Sequence, residues 1–286
     1  MNTETVVLPR GKGMRFSNGV FALVVLVIGL IQLYPLVWLI DYSLCRSGEL
    51  FVSGVFALPK EPQFQNYVRA WTDGNILRYF INSVIVTGIS ILLTVILSAM
   101  ISYVLTRMKW KYAKLCTTIL MIGMLIPIHA TLIPNFMIYS KLGWLNEYIS
   151  LILPYTAFQI PLSVLVYSGF MESIPRSLEE SAVMDGSSLP RALFRIILPV
   201  CKPATMTVTV MAFMACWNEY IMAATFASSD KLYTLPFAVT KFQGMYSGDY
   251  AVQFAAMVIT VVPALLIYIF LNKFITKGIT MGAVKG

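Results

Sequence analysis

Residue types that usually perform catalysis or bind metals are scarce in this chain, and their spacing matches no familiar active site. The 286 residues include one histidine, His129, and four cysteines at separate places, Cys45, Cys116, Cys201 and Cys216. A Ser-His-Asp triad or a histidine-based metal site therefore lacks its groups, and buried or unreactive thiols explain the cysteines. His129 lies in an apolar block, where it either contacts a ligand or simply forms a hydrogen bond. We predict no catalytic residue and no metal site.

The sequence also lacks the glycine-rich loop that binds nucleotide phosphates. Its one Gly-Lys pair is followed by Gly13, whereas a G-x-x-x-x-G-K-[ST] loop requires serine or threonine at that place. If ATP drives this protein, another chain binds the nucleotide, and we predict no cofactor on this one.

An acidic residue inside an apolar block is a candidate for solute binding. Glu219 stands in the run Trp217-Asn218-Glu219-Tyr220. Because a carboxylate is costly to desolvate, an acid within a membrane span is a functional candidate. Aromatic rings with amide or carboxylate hydrogen bonds suit a carbohydrate path. The alternative is that Trp217 and Tyr220 are packing or interface residues and that Glu219 braces a partner subunit.

The second candidate is the charged stretch 172–203, which interrupts an otherwise apolar half of the chain. Ser177 and Glu180 have capping-box spacing, so a short helix is predicted to begin at Ser177, with Glu179 and Glu180 at the positive end of its dipole. Gly186 is placed to end this helix in the left-handed conformation.

A second short helix is predicted from Leu189 towards Ile197, capped by Ser187 or Ser188. It alternates apolar residues with Arg191 and Arg195, which suits one face on lipid and one in water. The stretch is therefore predicted to form a helix-turn-helix along the membrane surface. The alternative is a structured connector that binds nothing.

The elements that position these candidates are predicted to be membrane helices. Hydrophobic residues make up 58% of the chain and charged residues only 12%, and apolar residues lie in blocks that reach the roughly 20 residues needed to cross a bilayer. Six spans are predicted, the third and fourth bent by prolines, at about 20–42, 80–105, 112–140, 148–171, 204–226 and 251–275. A tail of residues 1–18 precedes this domain and a tail of residues 276–286 follows it.

Lysine and arginine set the predicted orientation. With the N-terminus in the cytosol, the inner segments hold 14 of these residues and the outer segments hold 7. This bias places both termini and the 172–203 stretch in the cytosol. The net charge of +8 is therefore a topology signal, and it does not indicate nucleic-acid binding.

The 172–203 stretch resembles a sequence that identifies a known family. The E-A-A…D-G…I-x-L-P loop of membrane subunits of binding-protein-dependent ATP-binding-cassette (ABC) importers is matched in spacing by Glu180, Ser181, Ala182, Asp185, Gly186, Ile196, Leu198 and Pro199. Ser181 and Ser187 replace the alanine that is usual there, a change of one small residue for another.

Further similarities extend over nearly the whole chain and favour the carbohydrate branch of this family, typified by the smaller membrane subunit of the maltose transporter. The similar segments are Asn82-Ser83, Leu142-Gly143 with Asn146, Leu153-Pro154, Ile174-Pro175, residues 217–220 and the terminal residues 282–286. The resemblance implies an all-α integral membrane protein with the six-helix fold of type I ABC importers. It also implies a second permease subunit, two ATPase subunits that bind ATP and magnesium, and an extracytoplasmic sugar-binding protein.

The resemblance assigns roles to particular residues. The eight matched loop residues are expected to couple this chain to the ATPase, with a further contact from Gly282, Lys285 and Gly286, unless that tail is frayed. An outer loop is expected to contact the binding protein, unless it is an ordinary solvated hairpin, through Phe242, Gln243, Gly244, Met245 and Tyr246.

The expected function is that of a permease subunit that passes a sugar, an oligosaccharide in particular, across a bacterial or archaeal cell membrane by alternating access. A permease for a glycerol-phosphate-type solute is the alternative. A secondary transporter fits less well, because Glu219 is the only clear intramembrane acid. A membrane enzyme lacks a cluster of catalytic groups.

Overall fold

The computed structural model describes residues 12–49, 58–242 and 249–283, with side chains between residues 19 and 270 of those ranges. The described chain is built from helices. Four of them are long and apolar enough to cross a bilayer: Gly19–Ser43 within α1 (Lys12–Ser43), α3 (Ile76–Arg107), α6 (Ile149–Ser173) and Tyr250–Phe270 within α11 (Tyr250–Ala283). Between α1 and α3, the short helix α2 (Gln65–Asp73) packs against α11.

The predicted third span is broken, and the break has a local cause. Helix α4 (Ala113–Gly123) meets the segment Ile128–Leu142 at 90°, and this segment is a 3₁₀ turn followed by α5 (Leu132–Leu142). Pro127 lies at the bend, where its missing N–H and its ring prevent the helix from continuing. Pro134 causes no break, because it falls in the first turn of α5, where backbone N–H groups lack helical partners anyway.

Helix α6 continues through both of its prolines, Pro154 and Pro161. The prolines of the predicted fourth span therefore do not break the helix. Its neighbour α3 is likewise continuous over 32 residues, and α3 packs more extensively against α6 than any other pair of helices in the described chain. These two helices form the central pair of the bundle.

The predicted fifth span is divided into two helices. Helix α9 (Lys202–Trp217) has 16 residues, about 24 Å, and α10 (Ile221–Phe226) follows after a break at residues 218–220. The sequence 217–220 therefore lies at a helix end and not within a continuous helix. Helix α9 packs against α3, α6 and α11.

Two more helices connect α6 to α9 at the predicted cytosolic end. They are α7 (Ser177–Met184) and α8 (Leu189–Val200), which contains one π-helical turn, and α8 meets α9 at 82°. The described residues contain four helices that could span a membrane without a break, and six spans are reached when each of the two bent pairs counts as one.

Two helices extend beyond the predicted boundaries. Helix α1 begins at Lys12, eight residues before the predicted span, and α11 continues to Ala283, through much of the predicted tail. Helix α1 lies at the edge of the bundle, where it contacts α11 and leaves most of its apolar side chains exposed. Such a surface is suited to lipid or to another membrane subunit.

Candidate functional site

Helix α7 forms at the predicted place, although the capping box does not. Ser177 is the first helical residue, and the preceding Arg176 occupies the N-cap position without a side-chain cap. The backbone N–H of Glu180 donates to the Arg176 carbonyl at 3.1 Å. Glu179 and Glu180 do lie in the first turn, where the helix dipole favours acids.

Gly186 ends α7 in the way that its position predicts. Its φ is +79°, in the left-handed region that only glycine adopts without strain. The Ser187 N–H donates to the Ala182 carbonyl and the Gly186 N–H to the Val183 carbonyl, both at 2.9 Å. This pair of bonds is the Schellman motif, which closes the helix and turns the chain towards α8.

Helix α8 is anchored by its apolar side. Ser188 stands at its N-cap in extended conformation, although its side chain forms no cap bond. Leu193 and Ile197 are buried against α3, α6 and α9, and the partly buried Ile196 and Leu198 pack on the same cluster. Two arginines, at positions 191 and 195, and Pro199 are exposed. The helix thus has two faces, as predicted, but its apolar face lies largely against protein and not against lipid, because α3, α6 and α9 cover it.

The residues matched to the coupling loop divide between the two sides of this helical hairpin, which comprises α7 and α8. Glu180, Ser181 and Asp185 are exposed on α7 or directly after it. Ala182 is 6% exposed, so this chain itself covers most of its surface. Met184, in contrast, is 87% exposed at the tip of α7.

A buried arginine holds the hairpin to the bundle. Arg107, the last residue of α3, is 9% exposed, and its guanidinium donates to the carbonyls of Met171 and, at 2.8 Å, Ile174. Its Nε lies 3.2 Å from Oε1 of Glu179 in α7, which is an ion pair without the geometry of a hydrogen bond. Neither Arg107 nor Glu179 was recognised as a paired residue from the sequence, because 71 residues lie between them.

A cavity of about 750 Å³ opens beside the break between α9 and α10. Its walls come from α6, α9, the break itself and the bend that follows α4. The polar residues that line it are His129, Gln159, Asn218, Glu219 and Tyr220. A second, smaller cavity is lined in part by α11 and shares Met214 and Asn218 with the first.

Glu219 forms its bonds within this chain. Its carboxylate accepts hydrogen bonds from the Tyr155 hydroxyl, with 2.6 Å between the oxygens, and from the Met222 N–H, with 3.0 Å between nitrogen and oxygen. It also accepts a hydrogen bond from the N–H of Ala223. His129 Nε2 lies 3.3 Å from Oε1. The carboxylate therefore caps α10 and links it to α6, and only 9% of the side chain is exposed. These bonds explain how an acid is retained at this depth.

The other three residues of the 217–220 run have different surroundings. Trp217 is 3% exposed, stacks on Phe213 and does not line the cavity. Asn218 lines the cavity while its side-chain amide donates to the Met214 carbonyl at 2.9 Å. Tyr220 is 37% exposed and lines the cavity. The structure thus brings Asn218, Glu219 and Tyr220 together and leaves Trp217 in the core.

The opposite, outer end is held by buried amide side chains that the sequence analysis did not assign a role. Asn82 is 2% exposed, and its side-chain amide donates hydrogen bonds to the carbonyls of Lys231 and Tyr233 at 3.0 and 2.9 Å. Its side-chain carbonyl accepts a hydrogen bond from the Tyr148 hydroxyl at 2.7 Å. The next residue, Ser83, accepts the N–H of Leu235 at 2.8 Å. This explains why an Asn-Ser pair opens the second span.

Asn146 and Asp230 complete this outer network, which comprises Asn82, Ser83, Asn146 and Asp230. Asn146 has a φ of +59° and accepts the Ser228 N–H at 3.1 Å. Asp230 accepts a hydrogen bond from Lys241 at 2.8 Å and another from Tyr79. The bonds from Lys241 and Tyr79 hold the pKa of Asp230 below its ordinary value.

The structure describes only some of the residues that were predicted to contact the binding protein or, at the C-terminus, the ATPase. Phe242 is partly buried and closes the 3₁₀ segment Leu235–Phe242, with its ring beside Gly74. Gln243, Gly244, Met245 and Tyr246 lie outside the described residues, as do Lys285 and Gly286. Gly282 falls within the backbone of α11.

The fold and the cavity together define a class. This is a multi-pass membrane protein whose discontinuous helices surround a cavity that several polar residues line, an arrangement found in solute transporters. The chain belongs to the family described as binding-protein-dependent transport system inner membrane components, which it matches over residues 95–281. It is therefore a membrane subunit of a binding-protein-dependent transport system, as its sequence predicted.

Curated relatives extend this similarity to nearly the whole chain. The sulfoquinovosyl glycerol transport system permease protein SmoH of Agrobacterium fabrum is 34% identical, over 96% of this chain and 95% of the relative. The diacetylchitobiose uptake system permease protein NgcG of Streptomyces coelicolor is 33% identical, with 88% and 84% covered. The trehalose/maltose transport system permease protein MalG of Thermococcus litoralis is 30% identical, with 91% and 94% covered.

Solved structures confirm the predicted fold class. A chain of a bacterial ABC transporter involved in the import of the acidic polysaccharide alginate is similar with a TM-score of 0.82 and 21% identity, over 93% of this chain and 99% of that chain. The inward-facing MetNI methionine ABC transporter gives a TM-score of 0.54, with 71% and 95% covered. The chain has the all-α fold of type I importer membrane subunits.

Proposed function

We propose that this chain is the permease subunit of an ATP-driven importer that takes a sugar, an oligosaccharide in particular, from an extracytoplasmic binding protein. The observation that carries the proposal is the hairpin of α7 and α8. It stands at the cytosolic end of the bundle, exposes acidic and apolar groups at its tip and is anchored to α3, α6 and α9. This is the arrangement required of an element that receives movement from a partner and passes it to membrane helices.

The proposed ATPase contact is the exposed side of α7. Glu180 and Asp185 supply charges for basic groups on the ATPase, Ser181 permits close approach, and Met184 adds an apolar contact. Gly186 sets the angle at which these groups are presented. Ile196 and Leu198 contribute indirectly, because they hold α8 on the bundle. Pro199 lies exposed beside them.

The partner ATPases bind ATP and magnesium, while this chain binds neither. ATP binding favours the membrane conformation that the ATPase dimer prefers, and alternating access follows from that shift in population. The C-terminal residues Gly282, Lys285 and Gly286 form a second ATPase contact in this proposal.

The proposed solute path passes through the 750 Å³ cavity. That volume falls in the range of roughly 300–1,000 Å³ that is usual for pockets binding small molecules. Asn218, Gln159 and His129 offer hydrogen bonds to hydroxyl groups, and Tyr220 and Phe158 offer ring faces. Glu219 positions the break and His129, and Trp217 supports α9 from the core.

A sugar is favoured over a glycerol-phosphate-type solute by the chemistry of the cavity. The lining residues that the structure describes include no lysine or arginine, so this chain supplies no fixed cation to a doubly charged phosphate. The names of the relatives point the same way, because SmoH, NgcG and MalG are named for glycosides or oligosaccharides. The outer loop from Phe242 to Tyr246 is the proposed contact for the binding protein.

Reconstitution tests this proposal. The chain is purified with its second permease and ATPase subunits and placed in proteoliposomes, with the sugar-loaded binding protein on the outer side. We expect ATP hydrolysis that the loaded binding protein stimulates, together with sugar accumulation that requires ATP. Purification of the chain alone with ATP-independent transport would contradict the proposal, as would transport driven by an ion gradient.

A further inference from the structure

We propose that Arg107 is a positioning residue that clamps α7 to the ends of α3 and α6, so that movement of α7 reaches these two helices directly. The proposal rests on the proposed function, since it assumes that a partner moves α7. The clamp consists of Arg107, Glu179 and the carbonyls of Met171 and Ile174. It makes Glu179 an inward-facing partner of its own chain, next to the outward-facing Glu180.

The first observation is the burial of the charges. The Arg107 side chain is 3% exposed and that of Glu179 is 14% exposed. Burial of an unpaired charge costs several kcal/mol, so the two groups are held together once the hairpin has formed. The adjacent Glu180 is exposed and has no partner in the described part of the chain. Two neighbouring acids therefore have separate tasks.

The second observation is where the guanidinium is attached. Arg107 is the last residue of α3, whereas Met171 lies in the last turn of α6 and Ile174 directly follows that helix. One planar cation thus joins the ends of two helices to the first turn of a third. Lysine cannot do the same, because its single ammonium lacks the separated donors of a guanidinium.

A second side-chain bond also joins the start of α7 to the end of α3. The Arg176 side chain donates to the carbonyl of Thr106, at the end of α3, at 3.3 Å. Arg176 and Glu179 are therefore both joined to the last two residues of α3, Thr106 and Arg107. Helix α3 in turn packs along α6, where Ser102 donates to the Val164 carbonyl at 3.0 Å.

The connection leads to the cavity. Helix α6 carries Phe158 and Gln159 in the cavity wall, and its Tyr155 bonds to Glu219 at the α9–α10 break. A displacement of α7 that is passed through the clamp moves the helix that forms one wall of the solute path. Without the clamp, α7 remains joined to the bundle mainly through α8.

Glu179→Gln tests this clamp in the complete reconstituted complex. Glutamine keeps the volume and removes the charge, so the clamp loosens while the fold remains. We expect the number of sugar molecules transported per ATP hydrolysed to fall ~5-fold or more, the lower limit of typical coupling effects. Basal ATP hydrolysis and subunit assembly remain as in the wild type. Arg107→Lys keeps the charge but lacks the separated donors of the guanidinium, so it is expected to lower the ratio as well.

Glu172→Gln is the matched control. Glu172 is an exposed acid at the end of α6, five residues before α7 begins, and its substitution should leave the ratio unchanged. Hydrogen exchange gives a second readout, in which Glu179→Gln accelerates exchange in α7 and leaves α8 unchanged.

Two results would overturn the clamp. An unchanged transport-to-ATP ratio in assembled Glu179→Gln complexes would show that the pair does not transmit movement. Loss of assembly in that variant would show a purely structural role. Failure of the proposed function is distinguishable, because wild type and Glu172→Gln would then also lack ATP-driven transport.

Discussion

The two ends of the molecule are held together by different kinds of interaction. At the outer end, side chains of the outer network bond to backbone groups of the segment 226–241, and Asp249 joins Arg69 and Ser47 ahead of α11. At the cytosolic end, the hairpin has an apolar contact through α8 and a small number of polar bonds centred on Arg107. Among the described residues, the outer end has many independent attachments, whereas the hairpin has few.

This difference indicates which end is able to move as a unit. Bonds from side chains to backbone at several points fix the path of a segment, so the outer segment is part of the wall around the cavity. A helix pair that is attached at few points can be displaced with little internal change. The hairpin is thus suited to transmit movement, and the outer network is suited to resist it.

The largest expected effect comes from Gly186→Asp, which disturbs the hairpin without filling any space. A Cβ at Gly186 meets no atom within 4 Å, but the φ of +79° strains any L-residue by about 1–2 kcal/mol. The new side chain and the altered turn change the face that α7 presents. We expect the protein to insert and ATP-driven transport to fall more than ~10-fold, as measured in proteoliposomes.

Gly143→Asp is the control for this variant. Gly143 has a φ of +69°, an equally open Cβ position and a place at the other end of the molecule. The backbone strain is therefore similar while the hairpin is untouched. Equal losses of transport in the two variants would show that strain, and not the coupling surface, is responsible; normal uptake by Gly186→Asp would refute its coupling role.

The second effect is expected at the outer end, from Asn82→Ala. This change removes three hydrogen bonds of a side chain that is 2% exposed, at a cost of about 3 kcal/mol at about 1 kcal/mol each. We expect a lower thermal midpoint of the purified complex, with the transport-to-ATP ratio unchanged in the protein that remains folded.

Asn135→Ala provides the comparison, because the amide of Asn135 makes a single local bond to Thr131. Its substitution should destabilise the protein by less than about 1 kcal/mol. A change of the coupling ratio in Asn82→Ala, without loss of stability, would contradict the contrast between the two ends.

The sequence was sufficient for features that local spacing determines. Gly186 follows α7 at the C′ position, and its left-handed conformation was predictable because no other residue type fits there without strain. The loop spacing also identified the family. The capping box was wrong, because the helix begins at Ser177 itself and the side chain of that residue forms no cap bond.

Features that depend on distant segments could not be predicted. The burial of Glu179 depends on Arg107, and nothing in the 172–203 stretch distinguishes it from exposed Glu180. Trp217 and Tyr220 are both aromatic residues of one short run, yet one lies in the core and the other in the cavity. The side on which each falls is decided by the helix break, which Glu219 stabilises through bonds across 64 residues of sequence.

The third comparison is between two residues of the cavity, Glu219, which supports the helix break, and Gln159, which is free to contact the solute. Glu219→Gln weakens the cap of α10 and the bond from Tyr155, so we expect destabilisation by about 2 kcal/mol together with slower transport. Gln159 lines the same cavity and has no hydrogen-bond partner among the described residues. Gln159→Ala should therefore lower the maximal transport rate ~5-fold, the equivalent of one bond of about 1 kcal/mol, at an unchanged thermal midpoint.

Thermal midpoints and transport rates of the two variants decide this point. A stable Glu219→Gln protein with impaired transport would assign the carboxylate to direct solute contact. Unchanged transport by Gln159→Ala would remove that side chain from the solute path.

The smallest effect is expected from low pH, which lowers the contribution of Asp230 in the outer network to stability. The hydrogen bonds from Lys241 and Tyr79 lower the pKa of Asp230 in the folded protein, so the ionised carboxylate favours folding above its ordinary pKa, about 4. This contribution is lost as the pH falls through the lowered value. Between pH 5 and pH 3, the thermal midpoint of the wild type should therefore decline slightly more than that of Asp230→Asn, which has no charge to lose. Parallel curves for the two proteins would show that the ion pair with Lys241 adds nothing to the attachment of the outer segment.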